Sequence, residues 1–392
     1  MEQDPIVITG YARTPMGGFQ GALSSVDASV LGATAIRAAL GELPAEAVQE
    51  VIMGCVLSAG QGQAPARQAA LGAGLSLSAG ATTINKMCGS GLKAVMFAHD
   101  LLHAGSAEVM VAGGMESMSL APYLLPKARA GMRMGHGSVL DHMFLDGLED
   151  AYDKGRLMGT FAEDCAQAYG FTREQQDAFA VESLLRAQKA IAAGYFNSEI
   201  TPVTVSDRRG EHQVSIDEQP GKAQLDKIPT LRPAFRADGT VTAANSSSIS
   251  DGAAALVLMR ASEAARRGLV PRARIIGHAT HAHQPSQFAT APIGAIRNLL
   301  TRTGSALSDY DLFEVNEAFA VVAMAAMRDL GLSHEQVNIH GGACALGHPI
   351  GASGARVLVT LLAALETHGL KRGIATLCIG GGEATALAVE RL

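Results

Sequence analysis

Short apolar runs alternate along the chain with stretches that carry apolar residues at helical spacing. This alternation predicts a parallel or mixed β-sheet covered by helices on both faces. In the first half it predicts the strands Ile6–Thr9, Val51–Met53, Thr82–Ile84 and Val109–Ala112, the last ending in Gly113-Gly114, and the helices Ala28–Leu40 and Leu92–Ala104.

The second half follows the same plan. It predicts the strands Ile275–Gly277, Leu312–Val315, Val337–Ile339 and Thr376–Ile379, and the helices Pro292–Thr303 and Gly351–Leu365. The order strand, glycine-rich turn, helix, strand and glycines occurs in both Thr82–Gly114 and Val337–Gly382. We therefore predict two related α/β halves, at residues 1–266 and 270–392.

A different segment, at about residues 119–245, separates the two patterns. It contains clusters of Pro, Met and Arg, a helical stretch at Thr172–Ala193 and a polar, hairpin-like piece at Ser206–Asp217. We expect an insertion that belongs to the first half, covers one edge of the core and carries binding function, as long excursions usually do.

Composition narrows the class of protein. Apolar residues make up 48% and charged residues 17% of the 392 positions, which supports a large core and excludes disorder. A net charge of −6 does not suggest nucleic-acid binding. Five irregularly spaced cysteines without a CxxC pair indicate reduced thiols rather than disulfides or zinc. No 18-residue apolar span occurs, so we expect a cytoplasmic protein without membrane association.

Two residues stand between a strand and a helix and could perform nucleophilic chemistry. Cys88 precedes Gly89-Ser90-Gly91 and a helix, whose dipole would lower the pKa of the thiol. The alternative is a small buried apolar residue. His348 lies among glycine and proline, with too few bulky neighbours to bury it, and could activate a thiol.

Two more residues lie at strand ends. Cys378 precedes Gly380-Gly381-Gly382, whose backbone N–H groups could face an oxyanion, although a buried core cysteine is the alternative. Asn316 could either cap a following helix or hold a water in an oxyanion site. Cys55 and Cys165 are interpreted as structural, and Cys344 fits a functional context less well than Cys88 or Cys378.

Several blocks in order resemble those of the thiolases, from about Arg13 to the C-terminus. The quoted blocks are Asn85-Lys86-Met87-Cys88-Gly89-Ser90-Gly91, Gly113-Gly114-Met115-Glu116-Ser117-Met118-Ser119, Leu231-Arg232-Pro233-Ala234-Phe235, Asn316-Glu317-Ala318-Phe319-Ala320, Gly341-Gly342-Ala343 with Gly347-His348-Pro349-Ile350-Gly351-Ala352-Ser353-Gly354, and Cys378-Ile379-Gly380-Gly381-Gly382. The resemblance implies the thiolase-like α/β fold, with two βαβαβαββ-type halves and an inserted loop domain.

The resemblance also implies a ping-pong acyl transfer between coenzyme A thioesters, either condensation of two acyl-CoA molecules or thiolysis of a 3-ketoacyl-CoA, with acetoacetyl-CoA and acetyl-CoA favoured. His348 would deprotonate Cys88, which would become acylated, and Cys378 would exchange a proton with the α-carbon. One oxyanion site would be His348 with a water on Asn316, and the other would be the N–H groups of Cys88 and Gly380. No metal and no tightly bound cofactor is implied.

Coenzyme A contacts are implied at further positions of the resemblance. Leu231, Phe235, Ala243 and Ser247 match residues that touch its pantetheine or adenine part, while Met158, Phe288, Ala318 and Phe319 match the lining of the acyl and pantetheine tunnel. Phosphate contacts are plausible for Lys222, Lys227, Arg208 and Arg209, although a solvated basic face is the alternative. Residues Tyr123–Met143 resemble a tetramerisation loop, which implies a homotetramer built as a dimer of dimers.

Three departures from the family pattern leave acyl chain length and branching open. Leu157 stands where many acetoacetyl-CoA thiolases have His. Gln219-Pro220-Gly221-Lys222 lacks an Arg that often stacks on adenine, and Phe288 stands where many bacterial biosynthetic members have Met, as in members that accept 2-methyl-branched substrates.

Two alternatives to a thiolase are weighed. A thiolase-fold protein that binds acyl-CoA without turnover would have no chemical need for Cys88, His348 and Cys378 together. A ketosynthase-type condensing enzyme uses Cys with His-His or His-Asn, and Cys378 in place of the last base argues against it.

Overall fold

The computed structural model of the protein describes residues 4–207 and 210–392. The strands in this part of the chain are β1 (Ile6–Arg13), β2 (Gly17–Gly18), β3 (Glu50–Gly54), β4 (Gly80–Ile84), β5 (Val109–Ser117), β6 (Tyr123–Leu124), β7 (Leu140–Asp141), β8 (Val203–Asp207), β9 (Gly210–Val214), β10 (Ser250–Arg260), β11 (Ala273–Ala282), β12 (Leu312–Val315), β13 (Arg372–Ile379) and β14 (Glu383–Arg391).

The α-helices alternate with these strands over most of the chain. They are α1 (Ala28–Leu40), α2 (Pro65–Gly72), α3 (Ser90–His103), α4 (Met158–Tyr169), α5 (Arg173–Ala192), α6 (Glu218–Lys222), α7 (Ala261–Arg266), α8 (Ala291–Thr303), α9 (Ala320–Leu330), α10 (Ala343–Leu346) and α11 (Ser353–Thr367). The predicted α/β class is confirmed.

The main sheet is mixed, as the sequence pattern predicted. Its order is β12-β13-β14-β11-β1-β10-β5-β3-β4, with β2 paired to β10. The pairs β3–β4, β3–β5 and β12–β13 are parallel. β1 and β11 meet antiparallel at Val7–Arg274 and Ile8–Ala273. This junction joins strands of the first 260 residues to strands that follow residue 272.

Helices α3 and α11 form a central layer. Alternate residues of β1 show this arrangement, because Ile6 and Ile8 pack in the cluster that contains α3 and α11, whereas Val7 packs in the cluster that contains α1 and α2. On the other side, α8 and α9 cover the outer face of β12, β13 and β14 in a third cluster. Different parts of the one sheet therefore lie on opposite sides of α3 and α11. The layers run outer helices, first part of the sheet, central helices, second part of the sheet, outer helices.

The central helices cross at two glycines. A Cβ on Gly91 of α3 would lie 2.6 Å from Ala355 N, and a Cβ on Gly354 of α11 would lie 2.3 Å from Leu92 N. Only glycine permits this approach without displacing the backbone. Because both crossings occur in the first turns of these helices, the loops that precede α3 and α11 are brought to the same place.

Several predicted boundaries differ from the structure: β1, β11 and β13 are longer than predicted, and two further predictions were wrong for reasons that involve distant residues. The strand predicted to end at Gly113-Gly114 continues to Ser117. A Cβ at Gly113 would lie 2.1 Å from Ala254 O, and one at Gly114 would lie 2.0 Å from Gly351 O, so these glycines permit close packing rather than a turn. The predicted strand Val337–Ile339 is reduced to one bridge between Val337 and Phe313.

The segment between the two patterns contains β6 to β9 and α4 to α6. The predicted helix at Thr172–Ala193 is observed as α5, which begins with a capping box formed by Thr172 and Gln175. Leu184, Ala187 and Ala190 of α5 pack with Ala345 and Leu346, beside the loop that carries His348. The polar piece predicted at Ser206–Asp217 contains the hairpin strand β9, which pairs with β8. Among the described residues, no helix combines the length and apolarity needed to cross a bilayer.

Candidate active site

The loop that carries Cys88 is a tight turn between β4 and α3. Met87 adopts a left-handed backbone conformation with φ of 46°, which is uncommon for a residue with a side chain. Ser90 Oγ accepts a hydrogen bond from Lys86 N at 2.8 Å and donates one to Met87 O at 2.6 Å. The turn is thereby closed on itself, and Cys88 is held just before the first residues of α3.

Cys88 is partly exposed as a residue, and backbone N–H groups face its sulfur. Burial of the thiol group raises the pKa of Cys88 to about 11, and hydrogen bonding from the backbone N–H groups of Gly380 and Cys88 opposes this rise only in part. The prediction that the helix dipole would lower this pKa was therefore wrong, because desolvation outweighs the backbone dipoles. In the free enzyme the residue is a thiol at neutral pH.

His348 is buried, contrary to the expectation from its glycine-rich neighbours, and is only 6% exposed. Its backbone N–H donates to Ser248 O at 3.0 Å, and Nδ1 lies 2.5 Å from Ser353 Oγ. We place the Ser353 hydroxyl proton toward Pro349 O at 2.9 Å, so that Ser353 Oγ accepts from His348 and the ring proton is assigned to Nδ1.

The other ring nitrogen, Nε2 of His348, is buried and has no hydrogen-bond partner within the described residues. Burial lowers the pKa of His348 to about 3, with the cation of Arg356 acting in the same direction. The imidazole is thus neutral at pH 7, with an unoccupied lone pair on Nε2. That is the protonation state a general base requires.

Asn316 follows β12 and is 1% exposed. Its Nδ2 lies 3.4 Å from His348 Nδ1, and its Oδ1 accepts a hydrogen bond from Arg356 Nη2 at 3.3 Å. Helix α9 begins only at Ala320, with Phe319 as its N-cap residue. The cap alternative for Asn316 is therefore wrong, and its amide belongs to the same cluster as His348.

Cys378 lies one residue before the end of β13 and is 1% exposed. It packs in the apolar cluster that includes Phe288 and Phe319. Burial raises the pKa of the Cys378 thiol well above its ordinary value, and the neighbouring Cys88 acts in the same direction. The two thiols are thus close enough to influence each other's charge. Gly380 lies two residues after Cys378 in the chain, and its backbone N–H faces the Cys88 sulfur, so the end of β13 lies against Cys88.

The residues matched to coenzyme A contacts fall into two groups. Leu231 and Ala243 line a cavity of about 360 Å³ together with Lys222, Lys227 and Ser248. Ser248 is also the residue whose carbonyl oxygen binds the His348 backbone, so the inner end of this cavity adjoins the site. Lys222 pairs with Glu218 across one turn of α6.

The second group lies on the apolar side of Cys378. The ring centroid of Phe319 is 6.0 Å from that of Phe235 and 6.3 Å from that of Phe288. The sulfur of Met158 would be 3.7 Å from a Cβ on Gly380. Ser247 connects the groups, because its N–H and its hydroxyl both donate to Ala318 O, at 3.0 Å and 2.9 Å.

The remaining candidate residues lie elsewhere or are not described. Arg208 and Arg209 lie outside the described residues, so their predicted phosphate contacts stay predictions. Cys55 and Cys165 are buried, and Cys55 Sγ lies 3.7 Å from Glu116 Oε1. The Cys344 thiol contacts Glu317 O at 3.7 Å.

Ser353 and Arg356 were not assigned roles from the sequence, although they hold His348 and Asn316 in place. A signal was present for Arg356, because it is the only charged residue between Ser353 and Leu365 of an otherwise apolar helix. Such a residue, when fully buried, requires polar partners. No comparable signal distinguished Ser353 from the other small residues of its block.

The site can therefore perform acyl transfer. It contains a thiol beside backbone N–H donors, a neutral imidazole with a free lone pair, and a second thiol. Fixed donors of this kind stabilise the oxygen charge that develops when a thiol attacks a thioester.

Comparison with known proteins agrees with this chemistry. Residues 6–262 match the family described as "Thiolase, N-terminal domain", and residues 269–391 match "Thiolase, C-terminal domain". The acetyl-CoA acetyltransferase of Pseudomonas aeruginosa is 50% identical over 98% of this chain and 99% of its own length. Acetyl-CoA acetyltransferase 2 of Arabidopsis thaliana is 51% identical over 99% of this chain and 97% of its own.

Solved structures agree as well. The acetyl-CoA acetyltransferase of Bacillus anthracis superposes with a TM-score of 0.97 at 41% identity, covering 100% of this chain and 99% of that one. A thiolase of Ascaris suum, solved in complex with coenzyme A, gives a TM-score of 0.93 at 39% identity, covering 99% of this chain and 100% of that one.

Proposed function

Because the chain belongs to the thiolase family and is a thiolase enzyme, we propose that Cys88 is the residue that becomes acylated, with His348 as its base and Cys378 as the acid and base for the α-carbon. The observation that carries this proposal is the state of His348. Its Nε2 is buried without a hydrogen-bond partner in the described residues, and with the ring proton assigned to Nδ1 beside Ser353 this nitrogen carries the lone pair.

In the cleavage direction, His348 Nε2 takes the proton of Cys88 as Sγ attacks the 3-carbonyl carbon of a 3-ketoacyl-CoA. The charge on that carbonyl oxygen would be stabilised by the N–H groups of Cys88 and Gly380. The bond between C2 and C3 then breaks, and its electron pair forms the enolate of an acyl-CoA two carbons long. Cys378 donates its proton to C2, which releases acetyl-CoA and leaves the remaining acyl group on Cys88.

In the second half, the thiol of coenzyme A attacks the thioester on Cys88. Cys378 takes the proton of that thiol, and the expelled Cys88 sulfur recovers its proton from His348, which restores the starting state. A water on Asn316, together with His348, would stabilise the enolate oxygen. Condensation is the reverse sequence, since each step is reversible.

Coenzyme A would enter through the cavity lined by Leu231 and Ala243. The cations of Lys222 and Lys227 at this cavity suit its phosphates, and Ser248 lies at the end next to His348. The acyl chain would extend toward Phe288, Phe319 and Met158. Acetoacetyl-CoA is the proposed substrate, because the relatives are acetyl-CoA acetyltransferases and these bulky side chains restrict the acyl end.

Thiolysis by the purified protein tests this proposal. Loss of the Mg²⁺-enolate absorbance would be compared for acetoacetyl-CoA, 2-methylacetoacetyl-CoA, 3-ketohexanoyl-CoA and 3-ketooctanoyl-CoA. We expect turnover of acetoacetyl-CoA that is abolished in Cys88→Ala. A preference for the longer or branched substrates would contradict the substrate, and turnover that survives in Cys88→Ala would contradict the nucleophile.

The role of Cys378 is tested separately. Cys378→Ala should lose thiolysis, whereas acetyl-CoA should still acetylate Cys88, more slowly than in the native protein because Cys378 no longer protonates the departing coenzyme A thiolate. Mass spectrometry of the intact protein detects the acetyl group. Cys165→Ala removes another buried thiol and is the matched control, which should retain both reactions. Loss of Cys88 acetylation in Cys378→Ala would contradict the division of roles.

We propose a homotetramer formed through the β6–β7 hairpin and its connecting loop. This segment exposes apolar side chains, including Met134 and Val139. Light scattering should give four chains of 40.5 kDa, and Met134→Glu should reduce that mass, whereas Leu77→Glu at another exposed position should not.

We further propose a cytoplasmic location, which suits five unpaired cysteines. The proposed halves remain residues 1–266, with the insertion at about 119–245, and residues 270–392. The short β1–β11 pairing, which joins the two sets of strands within the sheet, supports this division.

A further inference from the structure

A second group of potential ligands lies at the far end of α3 from Cys88. His99 and Asp100 of α3 and His278 of β11 each offer one ligand atom, and these atoms all lie within 4.8 Å of one another. Asp100 Oδ1 accepts from both rings, at 3.0 Å from His99 Nδ1 and 2.9 Å from His278 Nε2. The α-helix rises about 1.5 Å per residue, so this group is roughly 15 Å from the start of α3 at Ser90.

From this geometry we propose that His99, Asp100 and His278 form a binding site for a zinc ion, separate from the acyl-transfer site. Two imidazoles and one carboxylate are a ligand set that zinc favours. Zinc bonds of about 2.0–2.1 Å in a tetrahedral arrangement place ligand atoms roughly 3.4 Å apart. The observed separations of 2.9 Å and 3.0 Å from Asp100 Oδ1 are slightly shorter, and the two histidine nitrogens lie within 4.8 Å of each other, so side-chain rotations that equalise the three spacings would admit the ion.

The orientation of the His278 ring is known from its contacts. Its Nε2 faces Asp100 Oδ1 at 2.9 Å and is the nitrogen available to a metal, whereas its Nδ1 is buried and has no hydrogen-bond partner in the described residues.

The surroundings leave room for solvent ligands. The three residues line a cavity of about 640 Å³, which can supply water to the remaining coordination positions. Arg302 and Arg274 also line it. Glu390 pairs with Arg274 at 2.8 Å but also with Arg372 and Lys371, and Arg302 donates to His278 O at 3.3 Å, so net positive charge remains near the site. We therefore expect moderate affinity.

The ion would have a structural role. His99 and Asp100 come from a helix of the first half, and His278 comes from a strand of the second half. A metal held by all three would connect the halves beside the β1–β11 pairing, since Ile6 and Arg274 line the same cavity. A ligand that binds the folded state and not the unfolded state raises the temperature of unfolding.

Zinc titration of the EDTA-treated full-length protein tests the proposal. Isothermal titration calorimetry with ZnCl₂ should give one ion per chain, and Tm should rise by about 2 °C or more at saturation. His278→Gln and His99→Gln should each abolish both effects and retain thiolysis, which shows that they are folded. His281→Gln, on the same strand and outside the group, is the matched control and should bind as the native protein does.

Replacement of zinc by Co²⁺ distinguishes this site from the cysteines. A visible spectrum without sulfur-to-cobalt charge-transfer bands is expected for nitrogen and oxygen ligands. The proposal is overturned if no ion binds, if binding survives in both His278→Gln and His99→Gln, or if the cobalt spectrum shows thiolate ligation.

Discussion

Removal of the Ser353 hydroxyl tests how His348 is prepared for proton transfer. In Ser353→Ala, His348 Nδ1 loses its acceptor at 2.5 Å. The ring proton can then move to Nε2, where it would block the lone pair that accepts the proton of Cys88. Asn316 cannot replace the serine, because the nitrogen that faces the ring is 3.4 Å away and is itself a donor.

The size of the effect follows from the charge on the ring. His348 becomes positively charged as Cys88 attacks, so the hydrogen bond to Ser353 strengthens in the transition state. A hydrogen bond to a charged group contributes about 1.5–3 kcal/mol. Its loss should therefore lower kcat about 10- to 150-fold. KM should change little, because Ser353 is fully buried behind the ring and does not line the coenzyme A cavity.

Steady-state thiolysis of acetoacetyl-CoA measures both constants. Thr360→Val is the matched control, because it removes another fully buried hydroxyl from the same helix, one that contacts Glu199 rather than His348. We expect Thr360→Val to retain kcat within about twofold, since only a stability effect is anticipated. Urea unfolding of both variants shows how much each hydroxyl contributes to the folded state.

A double-mutant cycle separates positioning from folding. In a His348→Ala background, Ser353→Ala should change the residual activity by less than about twofold, because the ring that it positions is already absent. A kcat of Ser353→Ala equal to that of the native enzyme would refute the reasoning. An equal loss in both backgrounds would also refute it, since the serine would then act on something other than His348.

Three further predictions concern other parts of the protein. Because the pKa of Cys88 is raised to about 11, its alkylation by iodoacetamide in the free enzyme should accelerate about tenfold per pH unit between about pH 7 and about pH 10, and a plateau near neutral pH by mass spectrometry would contradict this. Phe288→Leu should raise the ratio of kcat/KM for 3-ketohexanoyl-CoA over acetoacetyl-CoA by about tenfold, and an unchanged ratio would remove Phe288 from the acyl pocket. Arg13 is fully buried between Glu199 and Asp217, so Arg13→Ala should lower the free energy of unfolding by about 3–5 kcal/mol in urea titrations. Arg266→Ala, which removes an exposed cation while Arg267 still pairs with the buried Glu263, should leave the urea midpoint unchanged.

Local pattern was sufficient for many elements. Helix Ala28–Leu40 and strand Leu312–Val315 were predicted to the residue. Each has apolar residues at the spacing that is typical of its own element, so the element can be recognised without knowing what it packs against. Gly113 and Gly114 misled the prediction because their cause is non-local, as the backbone atoms that they approach belong to Ala254 and Gly351.

The residues of the candidate site could be predicted from the sequence, but their burial and their pKa values could not. The blocks around Cys88, His348, Asn316 and Cys378 were recognisable from the sequence, and the structure places Asn316 against His348 and Cys378 near Cys88. The burial of His348 and the raised pKa of Cys88 were missed, because both depend on what packs over a loop. The glycine-rich sequence around His348 suggested that its side chain would be open to solvent. The crossing of α3 and α11 instead packs backbone from other parts of the chain against these glycines.

The division of the site between the two halves has a consequence for how this chain can be cut. Cys88 precedes α3, whereas Asn316, His348 and Cys378 follow β11. A fragment of residues 1–266 and a fragment of residues 270–392 would each contain strands and helices of the main sheet, but each would hold only part of the active site. Activity from a mixture of the two fragments would then depend on their mutual concentration. A substitution at Gly91 or Gly354 in one fragment would collide with backbone of the other fragment, so the sequences of both fragments are constrained together at this crossing.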